Sequence, residues 1–523
     1  MDEPSSFIYR IFRFIKSLSV ARAVSLSFGL AILFGSFLLF FVEANLDYAN
    51  ALYISASAFC VTGLSPVDIS HFSFAGQLLL MIFIQAGGLG IIVFTVLIGN
   101  MVIQGLSRNT KLQEFLFEVL DADLKDENKT EDTLEHPRVL RLIIAIFNIS
   151  ITIELIGAMV LYFTLPDELP PNVHSRFFIS LFTSISAFNN AGFSITDNLI
   201  FLRDDFSSLS VIIFLIIMGG IGFPVVIFIE KLLLKFLNEI TSKFEVWCET
   251  HLMIKAISGE EPSPIYFLLT RLSFWTENQI ASYNKSLLGQ SNRVQTKIIL
   301  IGTIILITFG TISFLLIEYN NPLTIGNLSF TGKFVNSLFV SVASRTAGFN
   351  TFDMGGILDS SIVIICSLMF IGGGPQGTAG GIKITTFVIF MKYLGNVINS
   401  QSKVEIYKQL VSKRSVAQSI RLYFLATTTL VVVTFLLTLI HTGQTMTSSH
   451  VLISIVFEVI SAFSTVGFTL GLTPYISDLE KIIYSIVMFV GRIGIFTVLV
   501  AITGNSVTSQ MGDIDDGLKI QVG

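Results

Sequence analysis

The chain is short of charge. Of its 523 residues only 13% are Asp, Glu, Lys or Arg, against roughly 25% in a typical soluble domain. That shortage excludes an ordinary soluble protein. With hydrophobic residues at 52% and a mean hydropathy of +0.75, it points to an integral membrane protein. Cysteine is scarce too. Cys60, Cys248 and Cys366 are widely scattered, with no CxxC or Cys/His spacing for zinc, and read as buried or incidental thiols. The net charge of −5 comes without a basic stripe, so nothing suits a phosphate backbone, and nucleic acid is excluded as a partner. Paired histidines, HExxH, a GxSxG elbow and clustered intramembrane carboxylates are missing, so nothing supports an enzyme. A cleavable signal peptide is not expected: Met1 to Arg22 carries Arg10, Arg13, Lys16 and Arg22, and the first apolar run is long enough to span. Phenylalanine, by contrast, is abundant, and its 48 copies fit a lipid-facing surface.

A span needs about 20 apolar residues. Eight segments qualify, near 24–43, 77–103, 140–163, 209–230, 298–318, 361–394 (broken), 418–440 and 482–503. Between the members of each pair lies a shorter segment, near 51–60, 176–188, 332–344 and 450–463, that cannot cross. Such half-helices are tolerated at membrane depth only inside protein or beside a watery cavity. The chain then divides into pore unit 1 (1–103), an acidic connection (104–137), unit 2 (138–230), a polar insert (231–297), unit 3 (298–396), a connection (397–417), unit 4 (418–505) and a tail (506–523). The insert holds a short apolar run, Ile265 to Leu269, expected to lie at the interface or in the cytoplasm.

Each short segment ends in nearly the same way: Ser57-Ala58-Phe59-Cys60-Val61-Thr62-Gly63-Leu64, Ser186-Ala187-Phe188-Asn189-Asn190-Ala191-Gly192-Phe193, Val342-Ala343-Ser344-Arg345-Thr346-Ala347-Gly348-Phe349 and Ser461-Ala462-Phe463-Ser464-Thr465-Val466-Gly467-Phe468. A lone glycine in an apolar segment usually means close helix packing. Four Gly-Phe or Gly-Leu pairs at matched places in four matched units ask for more. Glycine permits backbone dihedrals that a side chain forbids, and a row of exposed carbonyls can replace the water around a cation. The expected ion-facing residues are Val61, Thr62 and Gly63; Asn190, Ala191 and Gly192; Thr346, Ala347 and Gly348; and Thr465, Val466 and Gly467. Their side chains are unlike one another, which suits a filter built from backbone. The expected fold is all-α, with four pseudo-symmetric units of membrane helix, pore helix, filter loop and membrane helix around one pore.

Lys and Arg set the orientation. The N-terminus holds four, the 104–141 connection six, the 231–297 connection eight and the 383–421 connection seven; the opposite connections hold only Arg176, Arg203, Lys333 and Lys481. By the positive-inside rule both termini are cytoplasmic and the glycine loops open outward. The acidic run from Asp121 to Glu135 reads as a solvated face, with partner contact as the weaker alternative.

Gly372-Gly373-Gly374-Pro375-Gln376-Gly377-Thr378-Ala379-Gly380-Gly381-Ile382-Lys383 interrupts the sixth span. Gly372, Gly374 and Gly377 match a dinucleotide fingerprint literally, but the setting is a membrane segment and no acidic residue follows at the required distance. A glycine run with a proline cannot continue a helix, and backbone freed this way is stable beside water. The loop is therefore expected in the pore below the filter, with a simple kink as the alternative. Arg492 lies mid-span in the last segment, where a charge is costly and marks a functional pathway, snorkelling being the alternative. It is expected to face the cavity near the glycine run and to speed cation exit. Lys383 is read either as a gating residue or as an ordinary cytoplasmic-end lysine. Glu458 is expected to bond a neighbouring filter loop, and Glu154 to have a buried partner. Arg345 is expected to pair with a carboxylate or carbonyl, and His71 to sit in an outer loop.

These motifs identify the chain, over residues 20 to 505, as resembling the Trk/Ktr/HKT superfamily of potassium transporters. The resemblance implies four membrane–pore–membrane units in one polypeptide. The N-terminal helix pair of TrkH-type members is not expected here, and eight spans resemble KtrB more. In this family glycine in the first loop, here Gly63, goes with potassium selectivity, whereas serine goes with sodium passage in plant members. The resemblance also implies that Gly372, Gly373, Gly374, Gly377, Gly380 and Gly381 form an intramembrane gating loop, that Lys383 and Arg492 match basic positions beside it, and that the protein is a homodimer in a plasma membrane bearing a cytosolic nucleotide-binding regulatory subunit. No soluble Rossmann pattern occurs in this chain, so that subunit would be another polypeptide. The resulting expectation is potassium uptake without a covalent cofactor. The rivals are a secondary transporter of another solute and a sodium-permeable cation channel; four units in one orientation argue against two inverted halves.

Overall fold

The computed structural model describes residues 20–105, 136–170, 175–196, 198–256, 290–401, 403–441, 448–503 and 520–522. The acidic run, the 265–269 segment and most of the N-terminal basic cluster lie outside the described residues. Within them the chain is helical: α1 (Val20–Val42), α2 (Tyr48–Phe59), α3 (Phe74–Gly105), α4 (His136–Thr164), α5 (Arg176–Phe188), α6 (Phe206–Gly220), α7 (Phe223–Ala256), α8 (Gln290–Glu318), α9 (Phe330–Ala343), α10 (Asp359–Phe370), α11 (Ile384–Ile398), α12 (Lys413–Ile440), α13 (Ser448–Phe463), α14 (Asp478–Ile493) and α15 (Ile495–Thr503). The one sheet among them is a hairpin of Glu405–Ile406 and Gln409–Leu410, within the expected 397–417 connection.

By length and composition Ala21–Val42, Ile146–Thr164, Arg293–Glu318 and Lys413–Ile440 can each cross a membrane alone. Their outward faces are apolar: Leu30, Phe34 and Phe41 on α1, Met159 and Phe163 on α4, Ile304 and Leu316 on α8, Val431 and Leu439 on α12 are all exposed. Exposed apolar surface on this scale requires a lipid solvent.

The short helices α2, α5, α9 and α13 are buried instead. Helix α5 begins at Ser175, whose side chain accepts the Phe178 N–H, and α9 begins at Ser329, which accepts from Gly332. These caps satisfy backbone donors of the first helical turn that have no partner within the helix. Each short helix packs on the long helix before it, α2 on α1, α5 on α4, α9 on α8 and α13 on α12. A serine fixes three of these contacts: Ser55 Oγ donates to Ile32 O at 2.7 Å, Ser184 Oγ to Glu154 O at 2.6 Å and Ser341 Oγ to Ile307 O at 2.8 Å.

A second set of contacts joins the repeats in order. Helix α3 packs on α5, α6 on α9, α10 on α13, and α14 returns to α2. The helix that leaves each repeat thus covers the short helix of the next, and the fourth closes on the first. Tyr53 of α2 and Tyr484 of α14 meet edge to face across that closure, 6.5 Å between ring centroids.

Two expected spans, the fourth and the eighth, differ in detail, and the sixth has the break that the sequence leads one to expect. The fourth, 209–230, is not one rod: α6 and α7 meet at 114° around Ile221 and Gly222, and α7 runs on to Ala256, into the region expected as polar insert. Gly222 has φ +89°, and Pro224 follows within the first turn of α7; together they stop one helix and start the next. The sixth is interrupted between α10 and α11. The eighth breaks at Gly494, with φ +92°.

Candidate functional site

Each short helix runs directly into its glycine loop, and the four loops share a pattern of positive φ, although the third has one more residue between helix and glycine. The residue two before the glycine has positive φ in every case: Val61 at 57°, Asn190 at 59°, Thr346 at 79° and Thr465 at 51°. The glycines follow suit, Gly63 at 92°, Gly192 at 70°, Gly348 at 68° and Gly467 at 101°. Left-handed conformations at β-branched residues are strained and persist only where the surroundings over-determine them. Here the surroundings are the other loops. A Cβ built on Gly63 would lie 2.5 Å from Ala191 O, and one on Gly192 would lie 2.5 Å from Ala347 O. A Cβ on Gly348 would collide with Val466 O, and one on Gly467 with Thr62 O. The sequence of approaches is cyclic, 63 to 191, 192 to 347, 348 to 466 and 467 to 62. Four carbonyl-bearing loops are therefore in mutual contact.

The residues expected to face the ion are thus brought together, all buried save an intermediate Gly63 and Gly192 in the same loops. The Thr62, Thr346 and Thr465 hydroxyls are buried without a protein partner. The C-terminal ends of α2, α5, α9 and α13 point into the loops, so the negative ends of their dipoles lie beside the carbonyls. Such an arrangement favours a cation.

The glycine run lies under these loops. Its ends are tied together, Gly372 N–H donating to Ile382 O at 2.8 Å and Ile384 N–H to Gly373 O at 3.0 Å. Its middle uses the carbonyls freed by the break after α6: Gly374 N–H donates to Gly220 O at 2.8 Å and Thr378 N–H to Gly219 O at 3.2 Å. A Cβ on Gly380 would strike Thr465 Oγ1 and come 2.9 Å from Ser464 O, so this part of the run abuts the base of the fourth loop. Gln376 Nε2 donates to Gln521 Oε1 at 2.9 Å, and Thr385 Oγ1 donates to Gln521 O at 2.8 Å, so the 520–522 segment reaches the run as well.

Three cationic side chains converge here. Arg492, buried, donates to Thr378 O and, at 2.7 Å, to Gly87 O. Arg345 donates to Gly372 O at 3.0 Å. Lys383 Nζ donates to Ala379 O at 2.5 Å. Their hydrogen bonds end on main-chain oxygens, so among the described residues these charges are set against dipoles rather than carboxylates. Arg345 has the carbonyl partner that the sequence leads one to expect.

The two buried acids are placed differently. Glu458 accepts from Thr469 Oγ1, from Leu472 N–H at 3.1 Å and from Thr473 N–H at 2.9 Å. These belong to the segment after its own loop and not to a neighbouring one, which corrects the expectation; the carboxylate closes the chain back on its own short helix. Glu154 is held by Gln85 and by Asn189, the residue before the second loop. His71 sits exposed 3.6 Å from Asp68.

Sequence reasoning missed one class of residue. A Cβ on Gly87, Gly219 or Gly491 would collide with Phe59 O, Phe188 O or Phe463 O. These glycines let three of the four leaving helices, α3, α6 and α14, touch the end of a short helix. The pairs Gly87-Gly88 and Gly219-Gly220 were the available signal.

Long helices with exposed apolar sides, enclosing short buried ones, define a multi-pass membrane protein. The chain belongs to the TrkH family, described as "Cation transport protein", whose model matches residues 21–257 and 265–508. It is 33% identical over 484 residues to the Ktr system potassium uptake protein B of Bacillus subtilis, covering 91% of each chain. It is 28% identical over 491 residues to the potassium/sodium uptake protein NtpJ of Enterococcus hirae, covering 92% of this chain and 93% of that one. In fold it resembles the crystal structure of the potassium transporter TrkH from Vibrio parahaemolyticus, with a TM-score of 0.61 and 18% identity over 91% of this chain and 83% of that chain.

Proposed function

We propose that the protein takes up potassium across a plasma membrane through a filter of main-chain oxygens. The cyclic contact of the four glycine loops carries this reading. Potassium sheds its water among the carbonyls of Val61–Gly63, Asn190–Gly192, Thr346–Gly348 and Thr465–Gly467, in a ring held too tightly by its neighbours to close around a smaller ion. It then meets the run from Gly372 to Gly381, a barrier that must shift for the ion to pass. Arg345, Lys383 and Arg492 hold that barrier by its carbonyls and keep a departing cation from lingering. Relatives named for potassium uptake at 33% and 30% identity support the choice of ion.

The loops open outward and both termini lie in the cytoplasm, in keeping with the Lys and Arg distribution. The working protein is a homodimer in a bacterial inner membrane, and a cytosolic nucleotide-binding subunit acts on the glycine run from below. The relative named for both ions makes sodium the second cation to test.

The experiment is rubidium or potassium uptake into cells lacking their own potassium transport, with and without external sodium and with a cognate partner supplied. Growth at low potassium is the expected result. Failure to restore it, with the protein confirmed in the membrane, overturns the reading.

A further inference from the structure

Of the four residues that end the short helices, Asn189 alone is tied to a carboxylate among the described residues. Its counterparts are Cys60, Ser344, whose Oγ donates to Ser341 O at 2.9 Å, and Ser464, whose Oγ has no partner. Asn189 Nδ2 lies 2.9 Å from Glu154 Oε1, 2.9 Å from Gln85 Oε1 and 2.9 Å from Ile185 O. Gln85 Nε2 in turn lies 2.9 Å and 3.1 Å from the two Glu154 oxygens. Three elements thus meet in one closed triangle: Gln85 from α3, Glu154 from α4 and Asn189 from the end of α5.

Two corners of the triangle are buried and the third, Gln85, is half-buried. Glu154 is 3% exposed and Asn189 is 0% exposed, and the Asn189 carboxamide fills the space where a Cβ on Gly88 would stand. The partners of the Glu154 carboxylate are the neutral amides of Gln85 and Asn189, and no cationic side chain among the described residues bonds it. A buried carboxylate is costly without a counter-charge. The next residue after Asn189 is Asn190, with its left-handed backbone in the second loop. With its amide oxygen and nitrogen exchanged, its carboxamide nitrogen donates to Ala187 O and to Ile216 O, each at 3.0 Å. On the other side of the same stretch of α3, Gly87 O and Gly88 O accept from Arg492 at 2.7 Å and 3.4 Å.

We propose that Glu154, through Gln85 and Asn189, is a positioning residue that sets the cation discrimination of the second filter loop. The carboxylate accepts from both amides at once and holds Asn189, and with it the start of the Asn190–Gly192 loop, at a fixed distance from α3. Its carboxyl group is bonded directly to Asn189, the residue that leads into the second filter loop. This rests on the filter reading above.

The test is uptake of potassium against sodium by the full-length protein in cells, for wild type, Glu154→Gln, and the swap Gln85→Glu with Glu154→Gln. Glu154→Gln keeps the volume but turns one acceptor into a donor facing donors. The expected result is a loss of about tenfold in the potassium-to-sodium uptake ratio, with a raised KM for potassium and little change in maximal rate. The swap re-creates a carboxylate and an amide in the same triangle and is expected to recover most of the ratio. A ratio and KM within about twofold of wild type in Glu154→Gln overturn the proposal, as does a swap no better than the single variant. If Glu154→Gln fails to accumulate, the same ratio is read from the swap and from the shift in melting temperature that potassium and sodium each give the purified protein. A wild type that carries a cation without preferring potassium overturns the filter reading instead, and the three proteins are then ranked on the preferred cation.

Discussion

Arg345 Nη2 donates to Gly372 O at 3.0 Å, and this bond joins the third glycine loop to the first residue of the glycine run. Arg345 sits one residue before Thr346, whose backbone is left-handed, and Gly372 is also pinned to Ile382. The third glycine loop and the glycine run are therefore mechanically connected. A displaced run must either break this bond or pull on the loop.

Arg345→Met leaves Gly372 O without its charged donor while keeping an apolar stem. A hydrogen bond to a charged group is worth about 1.5–3 kcal/mol. We expect a higher maximal rate of uptake and a smaller preference for potassium over sodium, both read by competitive rubidium uptake. Wild-type values for both would separate the two parts.

Arg492→Gln removes bonds to Thr378 O and Gly87 O. The run loses its tether to α3 and α14, so uptake and apparent potassium affinity should both change, and a cysteine placed at Gly377 should label faster from the cytoplasmic side. The labelling rate in inverted vesicles checks it. Unchanged uptake and affinity would remove Arg492 from the mechanism.

Gly63→Ala carries a Cβ toward Ala191 O at a φ of +92°. The first two loops must part, at a cost of order 1–3 kcal/mol. Potassium preference should fall about tenfold or more while protein abundance stays measurable, as read by uptake in mixed potassium and sodium.

Gly491→Val sets a branched side chain against Phe463 O, where even a Cβ collides. Overpacking costs about 1–3 kcal/mol or more. We expect a lower melting temperature in detergent and reduced abundance, whereas Gly395→Ala, with nothing near its Cβ position, should leave both unchanged.

Glu458→Gln keeps one oxygen to accept from Thr469, Leu472 and Thr473 but sets a buried amide nitrogen in place of Oε2, which has no partner. Stranding a buried donor costs about 1–3 kcal/mol. The melting temperature should drop, and Glu458→Ala should drop it further.

Much was legible in the chain. Apolar runs too long for a soluble core give the long helices, and the four Gly-Phe or Gly-Leu endings mark the loops, because hydropathy and positive φ are local properties of named residues. The glycine run with Pro375 could be read as a break for the same reason. The break at Ile221 and Gly222 was also written there, in Gly219-Gly220-Ile221-Gly222-Phe223-Pro224, but its apolar setting disguised it as an unbroken span.

Sequence alone settled the solvent, the repeat and the positions where a side chain is forbidden, since each follows from composition or from a residue's own dihedral limits. Tertiary structure decided which carbonyl each missing Cβ makes room for, that Arg492 reaches Gly87 across 405 residues of chain, and that Glu154 stands behind the second loop. Those pairings depend on helices closing in a ring, and no spacing along one chain encodes which faces will meet.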